Sequence, residues 1–523
     1  MSRLAALAGA LVLAVVALAA TACGSSDKST LTVLAGSEVK DLEPLLGDIK
    51  KNTGITLKLD YVGTIEGTED IASGSDHHDL AWFSHSKYLV LLQGNGPKRV
   101  HAETPIMLSP VVLGVKHSAA VRLGWDGKDV TWRDIAEAAK AGRFRFAMTN
   151  PAASNSGFTA LVGVASAFAG SADALNSGSI DAKGLKDLFA GQKLTAGSSG
   201  YLADAFVREQ DSLDGIINYE SVLASLNESG TLHERLDLIY PKEGIITANY
   251  PLLLLNDAKR DAYDKLTTYL LSKDFQEKLM KTTLRRPVTP GIPLDPRLSR
   301  RLLVELPFPS SVKTVDAILF AYLNKARPPA DATFVLDVSG SMGSDHKLDN
   351  LKTALRGLTG LDTSLTGRFS AFHDREHLTF IPFSDRVQQP TDFAIGTGDP
   401  AAAYARIRSY VDALNADGST AIYSALEDAY EHAATLQATD AKRYYSIVVM
   451  TDGENNAGAN FKEFISYYNR LPASAQRIHT FTVLFGDASK DELQQIADLT
   501  GGKLFDARTA SLSEIFKEIR GYQ

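Results

Sequence analysis

The stretch that decides the fold of the C-terminal part of this chain is Ala332-Thr333-Phe334-Val335-Leu336, followed at once by Asp337-Val338-Ser339-Gly340-Ser341. The first segment is an apolar run typical of a buried strand. The second places one carboxylate and two hydroxyls at alternate positions, and hard cations such as Mg²⁺, Mn²⁺ and Ca²⁺ prefer such oxygen ligands. The stretch therefore predicts a strand that ends in a cation-binding loop, although the same spacing also occurs in simple turns and helix caps.

Two later segments carry similar oxygen donors. Gly418-Ser419-Thr420 opens a predicted helix, and Thr451-Asp452-Gly453 follows the apolar run Ser446-Ile447-Val448-Val449-Met450. The carboxyl ends of parallel strands meet at one edge of an open sheet, so we expect these segments to converge. The predicted metal ligands are Asp337, Ser339, Ser341, Thr420 and Asp452.

In this order the three segments resemble the metal-ion-dependent adhesion site of the von Willebrand factor A (VWA) family, over residues 332–523. The resemblance implies a Rossmann-like domain whose mostly parallel central sheet is flanked by helices. It also implies that a Glu or Asp of a protein partner completes the metal shell. Met342 and Gly343 stand where some integrin relatives carry an acidic pair for an extra calcium, so we predict one ion, Mg²⁺ or else Mn²⁺ or Ca²⁺. In that family Asp337, Ser339 and Ser341 would coordinate first, Thr420 directly in some states, and Asp452 directly or through water.

The N-terminus has the pattern of an export signal. Arg3 precedes a nearly unbroken apolar run over residues 4–20, and small residues then lead to Cys23, the only cysteine. This arrangement resembles a bacterial lipoprotein signal, with Ala20 where that signal prefers Leu. We predict a signal peptide over residues 1–22, a lipid-attached linker over 23–30, lipidation of Cys23 and a location outside the cytoplasm on the cell membrane. An uncleaved transmembrane anchor is the alternative.

Residues 31–327 alternate short apolar runs with helical patterns, which predicts an α/β domain with largely parallel sheets. Three segments, 79–84, 150–157 and 213–221, resemble cleft loops of two-lobed, type II periplasmic solute-binding proteins of ABC importers. Free amides and hydroxyls at helix N-termini can hold an anion there, although the same residues also serve as ordinary caps and turns. The candidate solute-binding residues are Ser37, Ser84, Ser154, Ser156, Gly157, Tyr219 and Glu220.

Length and charge narrow the class of protein. A chain of 523 residues exceeds one hydrophobic core, and a net charge of −8 disfavours a nucleic-acid partner. The prolines of Arg327-Pro328-Pro329-Ala330 predict a linker over residues 328–331. Within the second domain, the apolar pattern also predicts a strand over Arg368–Phe372.

No nucleophile elbow, phosphate-binding loop or H-E-x-x-H motif occurs, so we expect a protein that is not an enzyme. The leading hypothesis is a cell-surface lipoprotein that binds a protein or other acidic ligand through a metal held by the VWA domain, with the solute-binding-like module as a second recognition domain. The alternative is the solute-binding component of an ABC importer, in which a small solute occupies the first domain and the VWA domain regulates or docks. A metal-dependent envelope assembly factor is a third hypothesis. His77, His78 and His85 match no zinc spacing and are interpreted as loop residues.

Overall fold

The protein is described by a computed structural model over residues 30–94, 96–170 and 175–523. The predicted signal peptide and Cys23 lie outside the described residues. The architecture is mixed α/β with three sheets, two in the first region and one in the second, which confirms the predicted fold class.

The first region contains twelve of the strands. They are β1 (Thr30–Gly36), β2 (Thr56–Val62), β3 (Leu80–Trp82), β4 (Ala102–Pro105), β5 (Met107–Lys116), β6 (Phe146–Thr149), β7 (Gln192–Ala196), β8 (Gly215–Tyr219), β9 (Leu236–Ile239), β10 (Thr247–Ala248), β11 (Pro251–Leu254) and β12 (Arg286–Pro287). The helices are α1 (Glu43–Thr53), α2 (Thr64–Ser73), α3 (Lys87–Gln93), α4 (His117–Leu123), α5 (Trp132–Lys140), α6 (Asn155–Ala169), α7 (Ala182–Phe189), α8 (Ser199–Glu209), α9 (Glu220–Glu228), α10 (Arg260–Leu270), α11 (Lys273–Thr283) and α12 (Val312–Ala321).

These strands form two lobes. The sheet of the first lobe has the order β2-β1-β3-β11-β4, and the sheet of the second lobe has the order β10-β5-β8-β6-β7, with β9 and β12 also pairing with β5. The chain crosses between the lobes from β4 to β5 and returns from β10 to β11. The two crossing segments run in opposite directions and pair antiparallel in both sheets.

The prediction of largely parallel sheets is therefore wrong for the first region. β1 is parallel to β2 and β3, but β11 is antiparallel to β3, and β5 is antiparallel to β8 and β9. The reason is the double crossing, because a strand that returns to a lobe enters its sheet in the opposite direction.

The second region is one sheet covered by helices. Its strands are β13 (Ala330–Asp337), β14 (His377–Phe383), β15 (Thr391–Ala394), β16 (Tyr444–Thr451), β17 (His479–Leu484) and β18 (Leu504–Asp506), in the order β15-β14-β13-β16-β17-β18. All neighbours are parallel except β14 and β15. The helices are α13 (Lys347–Arg356), α14 (Leu365–Ser370), α15 (Ala401–Asp412), α16 (Ile422–Thr439), α17 (Phe461–Tyr468), α18 (Lys490–Thr500) and α19 (Leu512–Arg520).

The central strand β13 supplies apolar side chains to both faces of this sheet. Phe334 packs into a cluster that includes Leu355 and Phe516, whereas its neighbour Val335 packs into a second cluster with Leu426 on the other side. Successive side chains of a strand point to opposite faces, so a fully apolar run needs helices on both sides.

The strand predicted over Arg368–Phe372 is wrong, because the segment is the helix α14 and the residues after it. Ser364 caps this helix by accepting a hydrogen bond from the Gly367 amide at 3.0 Å. Glu69 of the first lobe also accepts from the amides of Leu365 and Thr366, at 2.6 and 2.9 Å. A contact with the other domain thus satisfies the first amides of the helix. The apolar pattern of the segment itself does not indicate this contact.

The two regions share buried apolar surface. One cluster contains Leu194 and Leu202 of the second lobe together with Phe481, Phe516 and Tyr522 of the other domain. Apolar surface buried between two domains stabilises one arrangement of the domains, whereas domains joined only by a linker can move. The predicted linker, residues 328–331, therefore connects domains that are also joined through their cores, and its last two residues already belong to β13.

Candidate metal centre and solute cleft

Asp337, the last residue of β13, is fully buried and has both carboxylate oxygens in use. Oδ1 accepts from the Ser339 amide at 2.8 Å, and Oδ2 accepts from the Thr451 hydroxyl at 2.6 Å. Burial raises the pKa of Asp337 above its usual range, because the charged form loses water, although these hydrogen bonds oppose the shift. A buried carboxylate without a cation beside it is costly, and a bound cation would relieve that cost.

Three more predicted ligands form a chain beside this carboxylate. The hydroxyl oxygens of Ser339 and Ser341 lie 3.1 Å apart, and Ser341 donates to Oδ1 of Asp452 at 2.8 Å. Asp452 is buried and follows the end of β16. The loop after one strand is thus bonded to the loop after its parallel neighbour.

Thr420 approaches from the third loop. Its amide donates to Asn456 at 2.8 Å, and the Gly340 amide donates to the Gly418 carbonyl at 2.9 Å, which ties two loops together. A Cβ placed on Gly453 would lie 3.6 Å from the Thr420 hydroxyl oxygen and 3.9 Å from that of Ser341. The two hydroxyls therefore come from different loops to the same place.

The structure thus brings all five predicted metal ligands together. Their donor atoms are two carboxylates and three hydroxyls, with no thiolate or imidazole among them. A set of this kind fits a hard divalent cation better than zinc or copper. The residues present therefore fit the ion that the VWA resemblance implies.

Lys347 also belongs to this centre, although the sequence patterns did not single it out. Its Nζ donates to Oδ2 of Asp452 at 2.7 Å, and only 13% of the lysine side chain is exposed. The hydrogen bond to Asp452 raises the pKa of Lys347. Asp452 therefore divides its oxygens between a hydroxyl of the candidate site and an ammonium group.

The candidate metal centre lies at the sheet edge away from the first domain. Asp337 and Asp452 stand at the carboxyl ends of β13 and β16. The first domain contacts the opposite ends: Nε2 of His479, which starts β17, lies 3.0 Å from a carboxylate oxygen of Glu209 on α8. The strands are parallel, so the candidate metal centre faces away from the solute-binding lobes.

In the first domain the predicted solute residues separate into groups. Ser37 and Ser154 line a cavity of about 500 Å³ between the lobes and the second domain, which we call the interdomain chamber. Ser84 and Tyr219 are fully buried, and their hydroxyls have no hydrogen-bond partner among the described residues. Ser156 and the backbone at Gly157 pack against Thr149 instead, with a hydroxyl–hydroxyl distance of 2.9 Å for Ser156.

Glu220 does not face these groups, which corrects the prediction that it sits beside Tyr219 in the cleft. It is buried and accepts from Nε and Nη2 of Arg286, both at 2.7 Å, and from the Tyr240 hydroxyl. Because the strand β8 ends at Tyr219 and a helix begins at Glu220, the two side chains leave the backbone in different directions. Glu220 therefore holds β12 to the lobe and is a structural residue.

The sequence patterns missed other polar side chains in the cleft. Asn155 donates from Nδ2 to Glu38 at 2.5 Å, and Arg285 donates to the Glu38 carbonyl at 2.6 Å. The Arg285 guanidinium also lies 4.5 Å from the ring centre of Tyr250. Asn155 lies between Ser154 and Ser156, which were both predicted to bind solute. This position in the sequence was the one indication that Asn155 belongs to the site.

The predicted loop histidines take different positions. His78 lies between Asp76 and Asp60, with nitrogen–oxygen distances of 2.6 and 2.9 Å. His85 is buried against Phe158 and Phe308, and burial lowers its pKa to about 3. A neutral ring in an apolar setting makes His85 part of the core.

Comparison with known families assigns both regions. Residues 31–284 match the family described as bacterial extracellular solute-binding protein, and residues 331–518 match the von Willebrand factor type A domain. The chain therefore contains a bacterial solute-binding domain followed by a VWA domain. Among the described residues, no helix is long and apolar enough to cross a membrane.

Solved structures similar to part of this chain include periplasmic binding proteins. AfuA from Actinobacillus pleuropneumoniae, with exogenous fructose-6-phosphate bound, is 14% identical with a TM-score of 0.45, and the match covers 57% of this chain and 98% of AfuA. A ferric binding protein from Campylobacter jejuni is 14% identical with a TM-score of 0.42, and the match covers 55% of this chain and 95% of that one. A search of curated proteins finds no match.

Proposed function

We propose that this chain is an exported, lipid-anchored surface protein whose VWA domain holds one divalent cation and binds an acidic partner through it. The partner would be a protein that offers a Glu or Asp side chain. The cation would be Mg²⁺, Mn²⁺ or Ca²⁺. The role is binding, and the proposal includes no catalytic step.

One observation carries this proposal: five oxygen-bearing side chains from three loops converge at the sheet edge that faces away from the first domain. A site at the interface with the first domain would be closed to a large partner. At the opposite edge, Ser341 is exposed while Asp337 and Asp452 are buried beneath it. A partner side chain can therefore reach the candidate site from solution.

The residues of the chain have separate tasks in this account. Asp337 orients Ser339 by accepting from its amide, and Asp452 orients Ser341 by accepting from its hydroxyl. Thr420 supplies a neutral oxygen from the third loop. When bound, the cation would supply positive charge that attracts a carboxylate, and the small number of charged ligands leaves that charge only partly neutralised.

The test is metal-dependent capture on the intact chain. Cell-surface proteins would be passed over immobilised protein in Mg²⁺ and eluted with a chelator, using wild type, Asp337→Ala and Asp349→Ala. Asp349 is an exposed carboxylate on α13 and serves as the matched control. We expect a chelator-released partner with wild type and Asp349→Ala only, and retention by Asp337→Ala would contradict the proposal.

Membrane anchoring through Cys23 is a separate part of the proposal. It is supported by the apolar segment, the small residues before Cys23 and the match to an extracellular solute-binding family. We expect Cys23→Ala to move the protein from the membrane fraction into the soluble fraction, because acyl chains provide the anchorage. Membrane retention of that variant would contradict lipid anchoring and favour the uncleaved anchor.

A second candidate function is solute capture for an importer by the first domain. Specific observations favour it: the hydroxyls of Ser84, Tyr219 and Tyr250 are buried without a partner in the described chain. The rings of Tyr219 and Tyr250 lie 5.8 Å apart, and the amide of Tyr250 donates to the Ser84 carbonyl, so the three residues meet where the lobes join. Buried polar atoms nearly always have hydrogen-bond partners, so unpaired hydroxyls at this junction suit a ligand.

A further inference from the structure

The VWA domain contacts both lobes of the solute-binding domain. On the first lobe, Glu69 of α2 accepts from the amides that start α14. On the second lobe, Asn150 donates to the Arg520 carbonyl at 3.2 Å, and the Tyr201 hydroxyl donates to the Gly502 carbonyl at 3.1 Å. The VWA domain therefore bridges the cleft between the lobes.

The interdomain chamber lies beneath this bridge and has walls from all three units. Helix α19 and Tyr522 form the VWA side of the chamber. The residues that the argument uses are Glu38 and Glu66 from the first lobe, Asn155 from the second lobe, and Glu514, Glu518 and Lys503 from the VWA domain.

Charges in the chamber do not balance. Two lysines line it, but Lys503 pairs with Glu518 at 2.7 Å and Lys517 pairs with Asp362 at 2.5 Å. Glu38 and Glu66 make no ion pair with any described residue. The negative charge of the chamber is therefore in excess, contrary to the anion that the serine-rich loops suggest.

Glu66 illustrates the cost of this excess. Partial loss of water around Glu66, which is exposed to the chamber, together with the charges of Asp70 and Glu514, raises the pKa of Glu66 to about 7. A cation beside this carboxylate would favour its charged form. The position of Glu66 and the excess of carboxylates over unpaired lysines both favour a positively charged ligand.

Asn155 provides an independent sign of a ligand. The residue is 2% exposed and lines the chamber, and its Oδ1 has no hydrogen-bond partner among the described residues. Its Nδ2 is already used by Glu38. An unpaired buried carbonyl oxygen accepts an N–H or O–H donor, and an ammonium or guanidinium group supplies such donors.

We propose that the interdomain chamber binds a small organic cation, a solute that carries an amine or guanidinium group. Glu66 and Glu38 face its charge, Asn155 Oδ1 accepts one of its N–H groups, and the VWA helix α19 closes the site. This inference rests on the second proposed function, solute capture, and adds the ligand class and the role of the VWA domain as a wall of the pocket.

The test measures the thermal midpoint of the intact protein with putrescine, spermidine and arginine, and with glucose and glucose 6-phosphate for comparison. A ligand that binds the native state raises that midpoint. We expect at least one of the cations to raise the midpoint. The same cation should bind Glu66→Gln about tenfold more weakly, because its charge pair with Glu66 is lost. Glu137→Gln, an exposed glutamate outside the chamber, should bind as wild type does.

The VWA wall is tested by Ala510→Trp, which would fill the chamber from the VWA side at an exposed position, with Thr509→Trp as the control outside it. We expect Ala510→Trp to abolish the shift caused by the cation and Thr509→Trp to preserve it. An equal shift in Ala510→Trp would overturn the role of the VWA domain. A shift with glucose or glucose 6-phosphate but none of the cations would overturn the ligand class and leave solute capture standing, whereas no shift with any probe would contradict both.

Discussion

The two ends of the VWA sheet carry buried charges in different arrangements. At the end that meets the first domain, Glu376 lies between Arg327, which precedes the linker, and Arg520 of α19, and Arg520 donates to both of its oxygens at 2.7 Å. At the opposite end, Asp337 is equally buried and bonds only to neutral donors. The buried Glu376 is thus paired with two guanidinium groups, whereas at the second end Lys347 pairs with Asp452 and Asp337 is bonded only by neutral donors.

The two buried carboxylates differ in pKa because their neighbours differ. Burial opposes ionisation of Glu376 most strongly, but the guanidinium groups of Arg520 and Arg327 lower its pKa to about 2. Burial raises the pKa of Asp337, whose hydrogen bonds come only from Ser339 and Thr451, because the nearby Lys347 ammonium pairs with Asp452 instead. The charge of Glu376 is thus neutralised by side chains of the protein, whereas the charge of Asp337 is not, and we propose that a bound cation neutralises it.

The largest effect is expected from Glu376→Gln, which would leave the two buried guanidinium groups without their shared carboxylate. We expect the free energy of unfolding to fall by about 3–5 kcal/mol, the usual cost of removing one member of a buried ion pair. Urea unfolding of the intact chain measures it. Glu431→Gln, an exposed glutamate on α16, should change stability by less than about 0.5 kcal/mol.

The same pair gives a pH dependence. The pKa of Glu376 is lower in the folded state than in the unfolded chain, so its contribution is present above about pH 5 and declines as the pH falls toward 2. The stability difference between wild type and Glu376→Gln should therefore shrink over that range. A difference that stays constant would contradict the low pKa.

A smaller effect is expected at the other end from Lys347→Met. The ammonium group repels a cation beside Asp452, so its removal should tighten Mn²⁺ binding by about tenfold. Lys352→Met lies on the same helix, where Nζ bonds to the Asp412 carbonyl at 3.1 Å, and is the matched control. Weaker Mn²⁺ binding in Lys347→Met would mean that the lysine positions Asp452 instead.

The smallest expected effect concerns the bridge between the domains. Glu69→Ala removes the carboxylate that accepts from the amides of Leu365 and Thr366, and loss of such a cap costs about 1 kcal/mol. Hydrogen exchange of those amides should accelerate while amides in β13 stay protected. Unchanged exchange at Leu365 and Thr366 would show that this contact does not hold α14.

Much of the VWA architecture was predictable because its signals are local. The apolar run of β13 and the oxygen residues after it lie in one continuous segment, and the general rule for parallel strands brings Thr420 and Asp452 to the same edge. The two-lobed class of the first domain was also predictable from the order of its elements. These predictions needed no knowledge of individual side-chain contacts.

The remaining features depend on contacts between distant parts of the chain. Lys347 bonds to Asp452, which follows a different strand. Glu69 accepts from the amide of Leu365, which lies 296 residues further along the chain. The interdomain chamber requires three units to meet, which no pattern within one unit describes. Glu220 was misplaced for the same reason, because its partner Arg286 lies 66 residues away.

The most direct test of the metal account is titration of the intact chain with Mn²⁺, followed by electron paramagnetic resonance. We expect one Mn²⁺ per chain that Mg²⁺ displaces, with binding lost in Asp337→Ala and kept in Asp349→Ala. The absence of specific binding to wild type, or equal binding to Asp337→Ala, would contradict the proposal that this edge of the VWA sheet holds the cation.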